Sequence, residues 1–149
     1  MKCFGLIGNP LGHSFSPLIH KHLFGIKNID ASYKLLETTP ENLKKRIDEL
    51  KSGEYDGFNV TIPYKIEIMK YLDEISPEAL AIGSVNTICM KNGKVVGYNT
   101  DYFGFKRELE YYNIKVEKQN AYVLGTGGAS KAITKALENM NANVTLVSR

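Results

Sequence analysis

Asn120-Ala121-Tyr122-Val123-Leu124-Gly125-Thr126-Gly127-Gly128-Ala129-Ser130 is the stretch that decides the fold. Its first five residues form an apolar, β-prone run that predicts a strand. Glycines then break the run. Ala132, Ile133, Ala136, Leu137 and Met140 follow at helical spacing, and Asn143-Val144-Thr145-Leu146-Val147 makes a second strand. Strand, glycine turn, helix and strand within about 30 residues are a βαβ unit of the dinucleotide-binding kind. Gly125 permits the tight turn, and Gly127 lets a pyrophosphate approach the backbone. The helix N-terminus supplies N–H groups and a positive dipole end. Ser130 stands where a third glycine is common. A P-loop needs glycine before its lysine and Ser or Thr after it, whereas Lys131 lies between Ser130 and Ala132. An NAD site expects an acidic residue about 20 residues past the glycines. This chain offers Ser148-Arg149 there. An arginine suits a 2′-phosphate, which predicts NADP rather than NAD.

Upstream, Asn59-Val60-Thr61-Ile62-Pro63-Tyr64-Lys65 continues the α/β pattern. Gly57 to Ile62 predicts a strand with Phe58, Val60 and Ile62 buried and Asn59 and Thr61 alternating with them. Tyr64 to Leu72 predicts a helix with Ile66, Met69 and Leu72 inward. Ligands of open α/β sheets sit at the carboxyl ends of parallel strands, where Lys65 would stand. Taken by itself, a lysine after a proline is a solvated surface group. Further strands are expected at Cys3 to Ile7 and Tyr33 to Glu37. Helices are expected from Ser16-Pro17 to about Gly25, from Thr39-Pro40 to Gly53, and from Ser76-Pro77 to Gly83. Ser16 is expected to act as an N-cap with proline at N1, which leaves Ser14 in the loop unexplained. Asn92-Gly93 between two β-rich runs predicts a hairpin of Ser84 to Met90 with Lys94 to Tyr98. That hairpin brings Asn86 and Asp101 toward the same sheet end. Capping the helix Tyr102 to Tyr112 is the plain structural role for Asp101.

The composition agrees with a globular protein of one ordinary domain or two small ones. Of its 149 residues, 43% are hydrophobic and 23% charged. A net charge of +3 is too weak to predict a nucleic-acid partner. No apolar run approaches the ~20 residues of a membrane span. No signal-peptide pattern opens the sequence, and Cys3 and Cys89 read as reduced core thiols, so a cytoplasmic location is expected. His13, His20 and His22 have no Cys or carboxylate pattern beside them, and no metal is expected.

Five ordered motifs carry a resemblance. They are Ser14-Phe15-Ser16-Pro17, Asn59-Val60-Thr61-Ile62-Pro63-Tyr64-Lys65, Gly83-Ser84-Val85-Asn86-Thr87, Gly97-Tyr98-Asn99-Thr100-Asp101 and Gly125-Thr126-Gly127-Gly128-Ala129. Together they resemble the shikimate dehydrogenase family over the whole chain. The resemblance implies an open three-layer αβα substrate domain with a mainly parallel sheet and a terminal β-hairpin, over residues 1–101. Residues 102–149 would hold a linker helix and the first βαβ unit of a truncated Rossmann NADP-binding domain. It implies reversible, NADP(H)-dependent reduction of 3-dehydroshikimate to shikimate, on the route to chorismate and aromatic amino acids. Lys65 and Asp101 would form the catalytic pair. Ser14, Ser16, Asn59, Thr61, Lys65, Asn86 and Asp101 would bind the substrate. Gly125, Thr126, Gly127, Gly128 and Ala129 would hold the pyrophosphate. Family members usually carry Asn-Arg-Thr or Asn-Arg-Ser where this chain has Ser148 and Arg149, so the arginine matches and its neighbours do not.

A dinucleotide-binding half needs βαβαβ, and only βαβ follows Lys118. The chain is therefore expected to be a fragment, poorly active or inactive in turnover. An uncovered βαβ unit leaves apolar surface and an open edge, so association with another copy is expected, or unusual packing against the first domain. The alternatives are a fragment that binds shikimate-like ligands without efficient turnover, and a quinate/shikimate dehydrogenase variant.

Overall fold

The computed structural model describes residues 1–148. The first strands are β1 (Lys2–Gly8), β2 (Ala31–Glu37) and β3 (Gly57–Val60), joined through helices α1 (Ser16–Ile26) and α2 (Leu43–Lys51). β4 (Glu74–Ile75), α3 (Pro77–Ile82), β5 (Thr87–Lys91) and β6 (Lys94–Tyr98) follow. These strands make one sheet in the order β2-β1-β3-β5-β6-β4. β1 pairs in parallel with both β2 and β3. β5 runs antiparallel to β3 and to β6. Helix α4 (Asp101–Tyr111) leads to a two-stranded parallel sheet, β7 (Asn120–Leu124) and β8 (Asn143–Val147), crossed by α5 (Gly128–Asn139).

Period-two alternation sorts the first sheet into two faces. Phe58 and Val60 enter a core with Leu43, Ile47 and Leu50 of α2, all nearly inaccessible. Asn59 points the other way, toward the face covered by α1. There the Phe4 and Phe24 rings lie 5.7 Å apart, and His20 stacks on Tyr33 at 3.9 Å. The result is the expected three-layer arrangement. A separate small core of Leu109, Val123 and Leu137 joins α4 and α5 to the second sheet. Tyr122, Leu124, Leu146 and Val147 of that sheet are exposed. So are Leu18, Ile19, Leu23 and Ile26 of α1.

Several local expectations are corrected. The third strand ends at Val60, and Ile62 is exposed rather than buried. Past it, the expected α-helix is a turn and a short 3-10 segment, Glu67–Tyr71. Tyr64 and Ile68 face inward there, not Ile66, because the tighter winding rotates the apolar stripe. The hairpin is not terminal. β4 lies outside it, parallel to β6, with Ile75 opposite Gly97. Asn92 and Gly93 both take the positive φ that the Asn-Gly pair predicts. Among the described residues, no helix is long and apolar enough to cross a membrane. Nor do any three of their His, Cys, Asp or Glu side chains cluster as a metal site.

Candidate functional site

Beyond β3 the chain turns sharply. Thr61 N–H donates to the Ile7 carbonyl at 2.9 Å, and the buried Tyr64 anchors the turn by donating its hydroxyl to the Thr38 carbonyl at 2.6 Å. The Lys65 carbonyl accepts from Val85 N–H at 2.8 Å, which holds the lysine beside the segment that precedes β5. The loop after β1 lies against the same turn, with Asn9 N–H donating to the Ile62 carbonyl at 3.1 Å. Serine loop and lysine turn are therefore neighbours, although far apart in sequence.

Asp101 arrives from the other direction. It is the first residue of α4, and its side chain does not cap the helix. Asn99 does this instead. Its Oδ1 accepts from the N–H groups of Asp101 (3.0 Å) and Tyr102 (3.3 Å), while its Nδ2 donates to the Ser84 carbonyl at 2.9 Å. The plain capping role is thus taken by a buried asparagine, and the Asp101 carboxylate is released. It receives Lys65 Nζ on Oδ2 at 2.6 Å and Asn86 Nδ2 on Oδ1 at 2.8 Å. The Lys65 and Asp101 side chains are 14% and 32% exposed, so solvent screens this pair less than a surface ion pair.

A polar wall extends from Asn86. Its Oδ1 accepts from Thr100 N–H at 2.9 Å and from the Thr87 hydroxyl at 3.0 Å. Thr87 Oγ1 accepts from Asn59 Nδ2 at 3.1 Å, and Asn59 Oδ1 accepts from the Tyr33 hydroxyl at 2.7 Å. Burial pushes the Tyr33 phenol up to about 12, against a smaller opposing pull from a Ser16 hydrogen bond. Ser16 is the first residue of α1 and caps nothing, a second correction to the expected roles. Its hydroxyl accepts from the Ser14 hydroxyl at 3.1 Å. Ser14 Oγ in turn accepts from Ser16 N–H at 3.2 Å, which explains the serine that capping left over. A cavity of about 220 Å³ between α1 and the sheet is lined by His20, Tyr33, Asn59 and Thr87; neither Lys65 nor Asp101 lines it.

The glycine loop meets this site directly. Gly125 has φ +97°, open to glycine at no steric cost. A Cβ at Gly127 would meet nothing within 4 Å, so its backbone faces open space at the mouth of α5. Gly128 is different. A Cβ there would lie 2.5 Å from Ser84 Oγ and 2.9 Å from Lys65 Cβ. The first turn of α5 is therefore packed on the lysine stem. Free N–H groups at the start of a 12-residue helix, a bare glycine at its mouth and a lysine beside it fit a dinucleotide pyrophosphate. Thr126 is exposed on the same loop and Ala129 on the first turn of α5. Ser148 is exposed just past β8, and Arg149, expected at a 2′-phosphate, lies outside the described residues.

The structure thus joins Lys65, Asp101 and Asn86 directly and reaches Asn59 through Thr87. It pairs Ser14 with Ser16 and places Thr61 at the base of the lysine turn. Tyr33, Thr87, Asn99 and Thr100 were not singled out from sequence. Of these, Thr87, Asn99 and Thr100 stand inside the quoted motifs, whereas Tyr33 carries no comparable signal.

Known proteins share this fold. Residues 6–88 match the family described as Shikimate dehydrogenase substrate binding domain. The chain is 49% identical, over its full length, to the NADP(+) shikimate dehydrogenase of Clostridium perfringens, of which it covers 55%. A crystal structure of a shikimate dehydrogenase in complex with NADP+ superposes with a TM-score of 0.94 at 46% identity, over 100% of this chain and 52% of that one. The shikimate 5-dehydrogenase of Thermus thermophilus, in complex with NADP(H) and shikimate, gives 0.92 at 35% identity, over 100% and 56%. The chain spans about half the length of the curated relatives it matches.

Proposed function

The chain belongs to the shikimate dehydrogenase family, and on that premise we propose that it supplies the substrate site and catalytic pair of an NADP-dependent shikimate dehydrogenase. The observation that carries this reading is the 2.6 Å contact of Lys65 with Asp101, beneath a glycine loop packed on the same lysine. We divide the chain at 101/102, into a substrate-binding part and a linker helix with the βαβ unit.

NADPH, held by Gly125 to Ala129 with Ser148 and Arg149 toward its 2′-phosphate, would supply a hydride to the 3-keto carbon of 3-dehydroshikimate. Negative charge then develops on the former carbonyl oxygen. Lys65 Nζ stabilises it and passes a proton to it. Asp101 holds the ammonium in place through Oδ2, and Asn86 holds Asp101 through Oδ1. Ser14, Ser16, Asn59 and Thr61 line the adjoining wall and offer hydroxyls and an amide to the carboxylate and hydroxyls of the substrate. In the reverse direction the same lysine takes the proton from the substrate hydroxyl. A cytoplasmic location is read from the free thiols of Cys3 and Cys89, and the lack of a nucleic-acid partner from the weak net charge of +3.

Isothermal titration of this chain with shikimate, and separately with quinate, tests the reading. Binding of shikimate is expected, and it should be lost in Asn86→Ala. Heat from quinate alone would replace the substrate; heat from neither would remove the reading. A second copy is the macromolecular partner we propose, meeting at the exposed Tyr122, Leu124 and Val147, which share the face of the sheet away from α5. Sedimentation should then show a species heavier than 16.7 kDa that grows with concentration. A monomer throughout the concentration range overturns the association.

A further inference from the structure

Thr87 stands opposite Asn59 in the β3–β5 ladder, next in sequence to Asn86. Donor and acceptor chemistry orients every group around it. A carboxylate only accepts, so the Asn86 atom facing Asp101 Oδ1 is Nδ2. The Thr100 backbone N–H only donates, so the atom facing it is Oδ1. Both fix one orientation of the Asn86 amide. Thr87 must then donate its single proton to Asn86 Oδ1, which leaves its lone pairs for Asn59 Nδ2. Asn59 Oδ1 accordingly faces Tyr33, whose hydroxyl donates to it at 2.7 Å. Each bond points the same way, from the Tyr33 hydroxyl to the carboxylate that holds Lys65.

We propose that Thr87 is a positioning residue, whose hydroxyl locks the Asn59 and Asn86 amides into one directional hydrogen-bond chain and so couples the substrate wall to the Lys65–Asp101 pair. It touches neither reacting atom. Without the hydroxyl, Asn59 Nδ2 keeps only a long 3.5 Å contact with the Asn86 carbonyl. The Asn59 amide is then free to turn, and the wall loses its registration with Asp101. A valine would preserve the β-branched packing and remove the chain. A serine would keep the chain and lose the methyl. The two substitutions therefore rank in opposite order for a relay and for a packing role.

The test uses the 149-residue chain in three forms: wild type, Thr87→Val and Thr87→Ser. Side-chain amide resonances of Asn59 and Asn86 report the chain itself. Shikimate titration reports its consequence, and that arm rests on the proposed function. Thr87→Val should shift both amide signals and weaken shikimate binding about tenfold, the effect of one lost hydrogen bond to an otherwise satisfied buried group. Thr87→Ser should leave the signals near wild type and the affinity within about twofold. Unmoved amide signals in Thr87→Val overturn the relay, as does Thr87→Ser behaving no better than Thr87→Val. Failure of the wild type to bind shikimate strikes the proposed function instead, and the amide signals then judge the relay by themselves.

Discussion

In an active shikimate dehydrogenase carrying this chain, Lys65→Ala is expected to lower kcat by roughly 10³-fold, within the range for loss of a positioned proton donor. Substrate affinity should fall much less, because the serine wall and Asn86 remain. The fold should survive. Backbone groups hold the lysine turn, through the Val85 N–H to Lys65 carbonyl bond and the buried Tyr64, and the substitution alters neither. Asp101 keeps its Asn86 donor at 2.8 Å, so no carboxylate is left without a partner. Steady-state kinetics beside a circular-dichroism melt measures both halves. Turnover near wild type in a folded variant would remove Lys65 from the mechanism.

Gly128→Ala should damage the site from outside it. The new methyl would sit 2.5 Å from Ser84 Oγ and 2.9 and 3.1 Å from Lys65 Cβ and Cδ, closer than packed atoms tolerate. Ser84 is fully buried, so the helix start must shift away from the serine and the lysine stem. Overpacking of this kind costs about 1–3 kcal/mol. We expect a lower melting temperature and weaker binding of both shikimate and NADP, about tenfold or more, since one displacement disturbs both sites. Ser84→Ala separates the two clashes. The Ser84 hydroxyl has no hydrogen-bond partner among the described residues, so its removal alone should be neutral or stabilising by up to about 1 kcal/mol. Combined with Gly128→Ala it should restore part of the loss, because the contact with Lys65 persists. Gly128→Ala with unchanged melting and unchanged affinities would mean that the loop does not rest on the lysine.

The two glycine-dependent contacts differ in how far sequence reveals them. Gly125 follows an apolar strand and opens a helix, so its tight turn is readable locally. The closeness of Gly128 to Lys65 is not, since the two residues follow strands of separate sheets. Asn92-Gly93 sets the hairpin register through its own φ requirement, and that register carries Asn86 and Asp101 to one end. Hence Asn86 and Asp101 could be gathered from sequence, and the meeting of Asp101 with Lys65, the proposed catalytic pair, followed from the resemblance. The neighbouring capping roles could not. Asn99 and Asp101 are both able to accept the first N–H groups of α4. Asn99 takes them because its own Nδ2 is anchored on Ser84, a residue from the segment before β5. Likewise Ser16 precedes proline in a capping pattern, yet enters the helix and turns its hydroxyl to Ser14.

By itself, then, the sequence determines what depends on neighbours along the chain. This covers the order of the longer strands and helices apart from the segment between β3 and α3, the hairpin, the glycine loop and the five motifs that place the chain in its family. Only the tertiary structure decides which of several competent donors and acceptors pair. It places β4 outside β6 and turns Tyr64 and Ile68 inward instead of Ile66. It also frees the Asp101 carboxylate from capping α4, and it threads Thr87 between two asparagines. The physical reason is the same each time. Local chemistry offers these side chains several hydrogen bonds of nearly equal worth, and the choice among them rests with partners that only folding brings within about 3 Å.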